Sequence, residues 1–385
     1  VAEVTNYIDR LVAELCPDGV EYRPLGELLG YEQPTKYLVS SKDYDDSYPT
    51  PVLTAGKTFI LGYTNETEGI YPASKEEPVI IFDDFTTAFK WVEFPFKAKS
   101  SAMKMLTLKS GNNSLFKYVY YAMQCIVYNS SDHARQWISK YSNIEVPVPP
   151  LEIQEAIVEI LDKFTNLEAE LEAELEARTL QYGYYRNSLF EALDCPRVPL
   201  GSLGTRNKGI AITASKMRTL EPGNKDVRIF AAGSTFVDTD SSFIPDKGIL
   251  EGPAIIVKSR GHIGFEYYEG RFTHKNELWS YSLTSNLVEQ KFIYYYLLTQ
   301  AYSLHELARG KSVKLPQLAV KDTDELLVPV PSLEEQQRIV DILDRFDALT
   351  SSLSEGLPAE LAARRSQYEY YRDQLLTFPR KGENQ

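Results

Sequence analysis

From residue 153 onward, apolar side chains recur at three- and four-residue steps: Ile153, Ile157, Ile160, Leu161, Phe164, Leu167, Leu171 and Leu175. On a helix these positions line one stripe, because residues three and four apart share a face. Glutamates fill the other faces, and the LEAELEAELEAR tract from Leu167 consists of strong helix formers. With Pro149 and Pro150 marking its start, the pattern predicts a helix over residues 153–190, about 57 Å long at about 1.5 Å per residue. A second stripe, Leu333, Ile339, Ile342, Leu343, Phe346, Leu349 and Leu353, repeats the steps until Gly356 and Pro358 interrupt it. Proline inside a helix costs about 3 kcal/mol, so a break or kink is predicted near 354–358.

The two stripes are parts of one repeat. VPVPPLEIQEAIVEILDKF at 146–164 returns as VPVPSLEEQQRIVDILDRF at 328–346, and QYGYYRNSLF at 181–190 returns as QYEYYRDQLL at 367–376. The offset grows from 182 to 186, so four residues separate the copies between these anchors. A repeat this long implies one structural unit used twice. Upstream, Ala55-Gly56-Lys57-Thr58-Phe59 matches Ala232-Gly233-Ser234-Thr235-Phe236, and Pro78 to Phe82 parallels Pro253 to Val257, amid blocks that otherwise diverge. Those blocks carry strand-like runs at 52–54, 79–82, 103–108, 227–230, 254–257 and 278–283, punctuated by turn residues. A helix containing Tyr118 to Tyr121, or Phe292 to Leu298, closes each one.

A long amphipathic helix needs a partner for its stripe, and two near-copies offer each other a matching seam. The predicted seam joins Ile157, Leu161, Phe164, Leu167, Leu171 and Leu175 to Ile339, Leu343, Phe346, Leu349 and Leu353 as an antiparallel pair. The plainer alternative is two unrelated surface helices, each lying on its own domain. The resulting expectation is an α+β chain with a mixed or β-rich domain over 1–150, a helix over 151–192, a second domain over 193–331, a second helix over 332–378 and a tail over 379–385.

Composition is that of an ordinary globular protein: 385 residues, 43% apolar and 25% charged. Without a run of about 18 apolar residues or a basic leader, the chain reads as soluble and cytoplasmic. The cysteines Cys16, Cys125 and Cys195 are odd in number and far apart, which supports neither a disulfide framework nor a metal site. The net charge of −13 argues against nucleic acid until it is located. Residues 151–192 hold −7 of it, whereas residues 88–144 carry eight basic and two acidic side chains. Most of the 26 tyrosines are read as packing, with base stacking a minority role.

Catalytic motifs are missing. Gly56-Lys57-Thr58 and Gly310-Lys311-Ser312 end like a phosphate-binding loop, but the earlier glycine is replaced by Pro51 and His305. His133, His262, His274 and His305 have no metal-ligand spacing, and Gly261-His262-Ile263-Gly264 is not a dinucleotide fingerprint. Pro17-Asp18 and Pro245-Asp246 lack the downstream partners of a nuclease. No catalytic residue, metal or cofactor is assigned to this chain.

The duplicated VPVP-x-LExQ-x-x-I segments, each followed by QYxYYR, resemble the specificity subunit of type I restriction-modification systems. The run from Ala13 to Tyr22, the run from Ile80 to Phe89 and His133-Ala134-Arg135-Gln136-Trp137-Ile138-Ser139 are similar to common family sequences. The resemblance implies two target-recognition domains separated by an antiparallel pair of long coiled-coil helices, with a pseudo-twofold internal repeat. Each domain would read one half of a split, asymmetric sequence in double-stranded DNA. Two methyltransferase subunits and endonuclease subunits would join this scaffold, and AdoMet, ATP and Mg²⁺ would belong to those partners. The LEAE tract resembles the family's spacer-setting repeat.

Base edges need Arg, Lys, Asn, Gln or small polar side chains, and phosphates need cations or backbone N–H groups. The nominated DNA contacts are Lys57, Lys97, Lys99, Lys104, Arg135 and Lys140 in the first domain, and Arg260, His262, Lys275, Arg309, Lys311 and Lys314 in the second. For any one of them a solvated surface charge is the plain alternative; the clusters 97–104 and 309–314 are favoured. A coiled-coil adaptor that binds no DNA is the main rival reading, and a stand-alone DNA-modifying enzyme is the second.

Overall fold

The computed structural model describes residues 2–56, 58–111, 114–128, 134–220, 225–311, 314–352 and 354–382, with side chains from Tyr7 onward. Its described helices are α1 (Ala2–Leu15), α2 (Leu25–Leu28), α3 (Phe116–Gln124), α4 (Leu151–Glu191), α5 (Ala214–Thr219), α6 (Gln290–Gly310), α7 (Val320–Asp324), α8 (Leu333–Ser351) and α9 (Gly356–Leu375). None is long and apolar enough to cross a membrane. The chain divides into two compact units, Val1–Glu170 with Leu361–Gln385, and Leu171–Glu360. The first half of α4 belongs to the first unit and its second half to the other.

In the first unit, an antiparallel sheet orders the strands Leu29–Glu32, Met103–Leu108, Val79–Asp83 and Phe89–Val92. A second sheet orders Ile60–Thr64, Thr50–Leu53 and Lys97–Ala98, the last pair being parallel. In the second unit, Gly204–Lys208, Trp279–Leu283, Ala254–Lys258 and Gly264–Tyr268 form the first sheet. The second sheet orders Phe236–Thr239, Val227–Phe230, Arg271–His274 and Leu250–Glu251, again with a parallel pair at Val227–Phe230 and Arg271–His274. The divergent blocks therefore share a strand order. The reason is legible in the central strands, Val79–Asp83 and Ala254–Lys258, whose consecutive apolar side chains are buried on both faces.

Each VPVP segment supplies a short strand, Glu145–Pro147 or Leu327–Pro329, before its long helix. Ile153, Ile157 and Leu161 of α4 are fully buried and share one core with Tyr118, Val119, Tyr121 and Met123 of α3. Ile339 and Leu343 of α8 do the same with Phe292, Ile293, Tyr295 and Leu297 of α6. Each such burial stabilises by about 1.5–3 kcal/mol. Of the expected seam, Ile157 and Leu161 lie in the core of the first unit together with Leu375 of α9, and Ile339 and Leu343 in the core of the second together with Phe190 of α4. Leu167 and Leu349 are exposed, Leu171 and Leu175 are half-buried, and Leu353 lies outside the described residues. An apolar stripe cannot distinguish a helix partner from a sheet-and-helix core, since both bury the same face.

Aromatic rings also join the paired helices. In the first unit Phe164 of α4 lies 5.7 Å from Tyr371 and 6.4 Å from Tyr368 of α9, and Arg365 pairs with Glu168 at 2.6 Å. Residue numbers rise along α4 as they fall along α9, so the pair is antiparallel. In the second unit Phe346 of α8 lies 6.2 Å from Tyr182 and 5.8 Å from Tyr185 of α4. Tyr182 and Tyr185 correspond to Tyr368 and Tyr371 in the repeat, so each repeat's phenylalanine packs on the other repeat's QYxYYR segment.

The expected interruption lies where α8 ends at Ser351 and α9 begins at Gly356. Gly356 has φ +80, and a Cβ there would be driven into the carbonyl oxygens of Ala348 and Leu349. Pro358 falls in the first turn of α9, where its missing N–H removes no helical bond.

Candidate nucleic-acid interface

In both units the central strand runs into a hairpin whose tip meets the segment that follows the unit's main helix. In the first unit the tip is 84–88. Asp83 accepts hydrogen bonds from the N–H groups of Phe85 (3.0 Å) and Thr86 (2.8 Å), which holds Thr87 at φ 60. The Gln136 N–H donates to the Asp84 carbonyl (2.8 Å) and the Trp137 N–H to the Asp84 carboxylate (2.8 Å). In the second unit the tip is 259–263, with Gly261 at φ 76. There the Leu318 N–H donates to the Ser259 carbonyl and the Gly261 N–H to the Pro316 carbonyl, both at 2.9 Å. Each unit thus presents one continuous surface made of a hairpin tip and a second segment.

The two surfaces differ in chemistry. The first exposes Phe85, Thr86, Arg135, Ile138 and Lys140; the second exposes Arg260, His262, Lys314 and Leu315. His262 and His305 bring the second tip beside α6, with ring centroids 6.5 Å apart. Arg309 and Lys311 lie at the end of that helix, Arg309 3.7 Å from Glu306 and Lys311 bound to Asp322. Burial raises the Asp322 pKa, but the Lys311 ammonium and the Ala319 N–H outweigh it and hold the carboxyl below the usual range. The surface brings together Arg135 and Lys140 in the first unit and Arg260, His262, Arg309, Lys311 and Lys314 in the second. Such side chains supply hydrogen-bond donors for base edges and cations for phosphates.

The other nominated residues stand elsewhere. Lys57 lies outside the described residues. The Lys97–Lys104 cluster is not a surface. Lys97 is buried, with its ammonium 2.6 Å from Glu66 and donating to the Glu68 carbonyl at 2.7 Å. The hydrogen bond from Lys97 lowers the Glu66 pKa below the usual carboxylate range. Lys104 is fully buried 3.1 Å from Asp84. Lys99 is half-buried and donates to the Tyr44 hydroxyl (2.8 Å), and Lys275 pairs with Glu277 (2.7 Å). These cations look like a basic patch in a linear charge count, which carries no information on which strand face turns inward.

Two buried polar positions are missed by reasoning from charge. Gln154 accepts the Leu115 N–H at the start of α3 (2.9 Å) and donates to the Pro149 carbonyl (2.7 Å). Gln336 accepts the Glu289 N–H at the start of α6 (2.8 Å) and donates to Leu287 (2.8 Å) and Pro331 (2.9 Å) carbonyls. Both are fully buried, and each ties the helix that precedes the tip-contacting segment to the long helix. Their signal is the glutamine retained in both LExQ copies. Aspartates repeat the arrangement: Tyr121 donates to Asp162, and Tyr295 to Asp344. Burial and then these carboxylates push both phenols well above the ordinary tyrosine range.

The model of the type I restriction modification DNA specificity domain matches the chain twice, over residues 17–177 and 200–363. The specificity subunit of the type I restriction enzymes EcoR124I and EcoR124II of Escherichia coli is 43% identical over 406 aligned positions, covering 97% of this chain and 98% of that one. Among solved structures, the S subunit of a type I restriction-modification system from M. genitalium matches with TM-score 0.57 at 17% identity, covering 93% of this chain and 96% of that one. A chain from a structural study of complex assembly in a type I restriction-modification system matches with TM-score 0.55 at 14% identity, covering 93% and 97%. These two likenesses establish a shared fold.

Proposed function

The chain belongs to the type I restriction-modification DNA specificity family, and on that premise we propose that it is a sequence-reading subunit whose two heads each recognise one half of a bipartite, asymmetric DNA target. The observation that carries this reading is the pair of surfaces built on one strand order but furnished differently. One offers Phe85, Thr86, Arg135 and Lys140, and the other offers Arg260, His262 and Lys314. A shared scaffold with different exposed donors and apolar groups is what two unlike half-sites require, because each base pair shows a distinct donor and acceptor pattern in the major groove. In this reading the chain contributes no catalytic group. Two methyltransferase subunits and the endonuclease subunits assemble on it in the cytoplasm and hold AdoMet, ATP and Mg²⁺. The repeated helices, with Tyr184 and Tyr370 exposed at equivalent positions, supply two equivalent docking faces for two copies of one partner.

Sequencing the methylated adenines of cells that carry the intact operon, and of cells lacking only this chain, tests the reading. The expected result is one split motif present in the first and absent in the second. Active partner subunits that methylate no split motif would favour a protein-binding adaptor.

A further inference from the structure

Asp84 and Lys104 are both fully buried, with Nζ 3.1 Å from Oδ2. The contact is off the line of a hydrogen bond, and among the described residues neither atom has a hydrogen-bond partner. Replacing such a pair by apolar side chains is commonly neutral or stabilising, so stability alone gives no account of it. Its other contacts do. Asp84 accepts two backbone N–H groups of one segment, Gln136 on its carbonyl and Trp137 on Oδ1, while its own N–H donates to the Ala102 carbonyl (3.0 Å). Gln136 continues the clamp, accepting from the Tyr128 hydroxyl (2.7 Å) and donating to the Ala134 carbonyl (2.6 Å). The Trp137 ring packs on Phe82 at 5.1 Å. Arg135 immediately precedes these anchors and Lys140 follows them by three residues, both exposed.

The second head lacks the pair. By strand register Phe82 faces Lys104 as Val257 faces Trp279, so the matching positions are Ser259 and Trp279. Among the described residues, its segment is hydrogen-bonded to the tip through backbone groups, Leu318 to Ser259 and Gly261 to Pro316.

We infer that the buried Asp84–Lys104 pair positions the first head for DNA: it holds segment 134–140 in its binding conformation, so that Arg135 meets its half-site without an ordering cost. Asp84 is a positioning residue, not a contact. A charged acceptor forms a bond roughly twice as strong as a neutral one, and the Lys104 ammonium fixes the carboxylate's orientation. Pre-ordering a loop raises affinity by removing conformational entropy that binding otherwise loses. The inference rests on the sequence-reading function above.

The test uses the chain assembled with its methyltransferase subunits and reads discrimination at each position of the methylated motif. Asp84→Ala with Lys104→Met leaves no stranded charge, which protects folding; Asp84→Asn with Lys104→Met restores the oxygen that accepts Trp137. The first variant is expected to relax discrimination at least tenfold in one half of the motif only, and the second to recover most of it. Wild-type reading of both halves by the first variant, or equal loss in both, would overturn the inference. Arg135→Ala separates the two levels. If it relaxes one half while the Asp84 variant does not, the positioning role alone fails. If neither variant changes either half, the assignment of this surface to DNA fails.

Discussion

Replacing Gln336 by leucine removes three hydrogen bonds from a fully buried site while nearly conserving volume. The Glu289 N–H loses its acceptor, and the Leu287 and Pro331 carbonyls each lose a donor. A neutral buried hydrogen bond contributes about 1 kcal/mol net, and a stranded buried donor costs about 1–3 kcal/mol. The carbonyls retain a second lone pair and suffer less, so the substitution is expected to cost about 3–5 kcal/mol. Gln154→Leu severs the bonds to Leu115 and Pro149 and is expected to cost at least about 2–3 kcal/mol. Because Glu289 also caps α6 by accepting the Lys291 and Phe292 N–H groups, the damage should spread into the first turn of that helix. Amide hydrogen exchange resolves the two units separately. In Gln336→Leu, amides at the start of α6 should exchange about a hundredfold faster or more, with α3 unchanged; Gln154→Leu should do the reverse. Unchanged protection of α6 in Gln336→Leu would refute the clamp, as would equal loss in both helices.

Burial holds His274 neutral and lowers its pKa from 6.5 to about 4, against the Lys275 carbonyl, which raises it, and with Lys258, which lowers it further. The unfolded chain then binds a proton that the folded chain refuses, so stability should be intact above about pH 6.5 and fall by about 3 kcal/mol on descending to about pH 4. Denaturant midpoints between pH 7 and 4 check this, and His274→Asn with the same pH slope as the parent would contradict it. Inserting one Leu-Glu-Ala-Glu unit after Leu167 lengthens α4 by about 6 Å. The gap in the methylated motif should grow by one or two base pairs; an unchanged gap would mean that the interruption at 352–355 absorbs the insertion.

Periodicity revealed the long helices to within a few residues, and the interruption near Gly356, because helical spacing and glycine act locally. The repeat revealed that two units share a fold, and register then showed that even the divergent blocks keep one strand order. What stayed illegible depends on which way a side chain turns. Lys97 and Lys104 sit in strands where a linear count finds only positive charge, yet both face inward toward carboxylates. Asp84, Gln136 and Trp137 fall in the two family-like runs, but that they meet, and that Lys104 joins them, is visible only after folding. The short strands, such as Leu29–Glu32 and Gly204–Lys208, mix glycine and polar residues, so alternation is absent. Tyr118, Tyr121, Tyr281 and Tyr295 are buried in packing, whereas Tyr184 and Tyr370 are exposed, and the exchange of Tyr182 and Tyr185 against Tyr368 and Tyr371 between repeats shows only in the folded chain.

The account stands on two heads in one chain acting as independent readers. Exchanging residues 27–145 for the corresponding block of another family member, and sequencing the adenine methylation that the hybrid directs, tests that independence. One half of the motif should change while the other half keeps its bases. A hybrid that folds and assembles but alters both halves together, or neither, would contradict it.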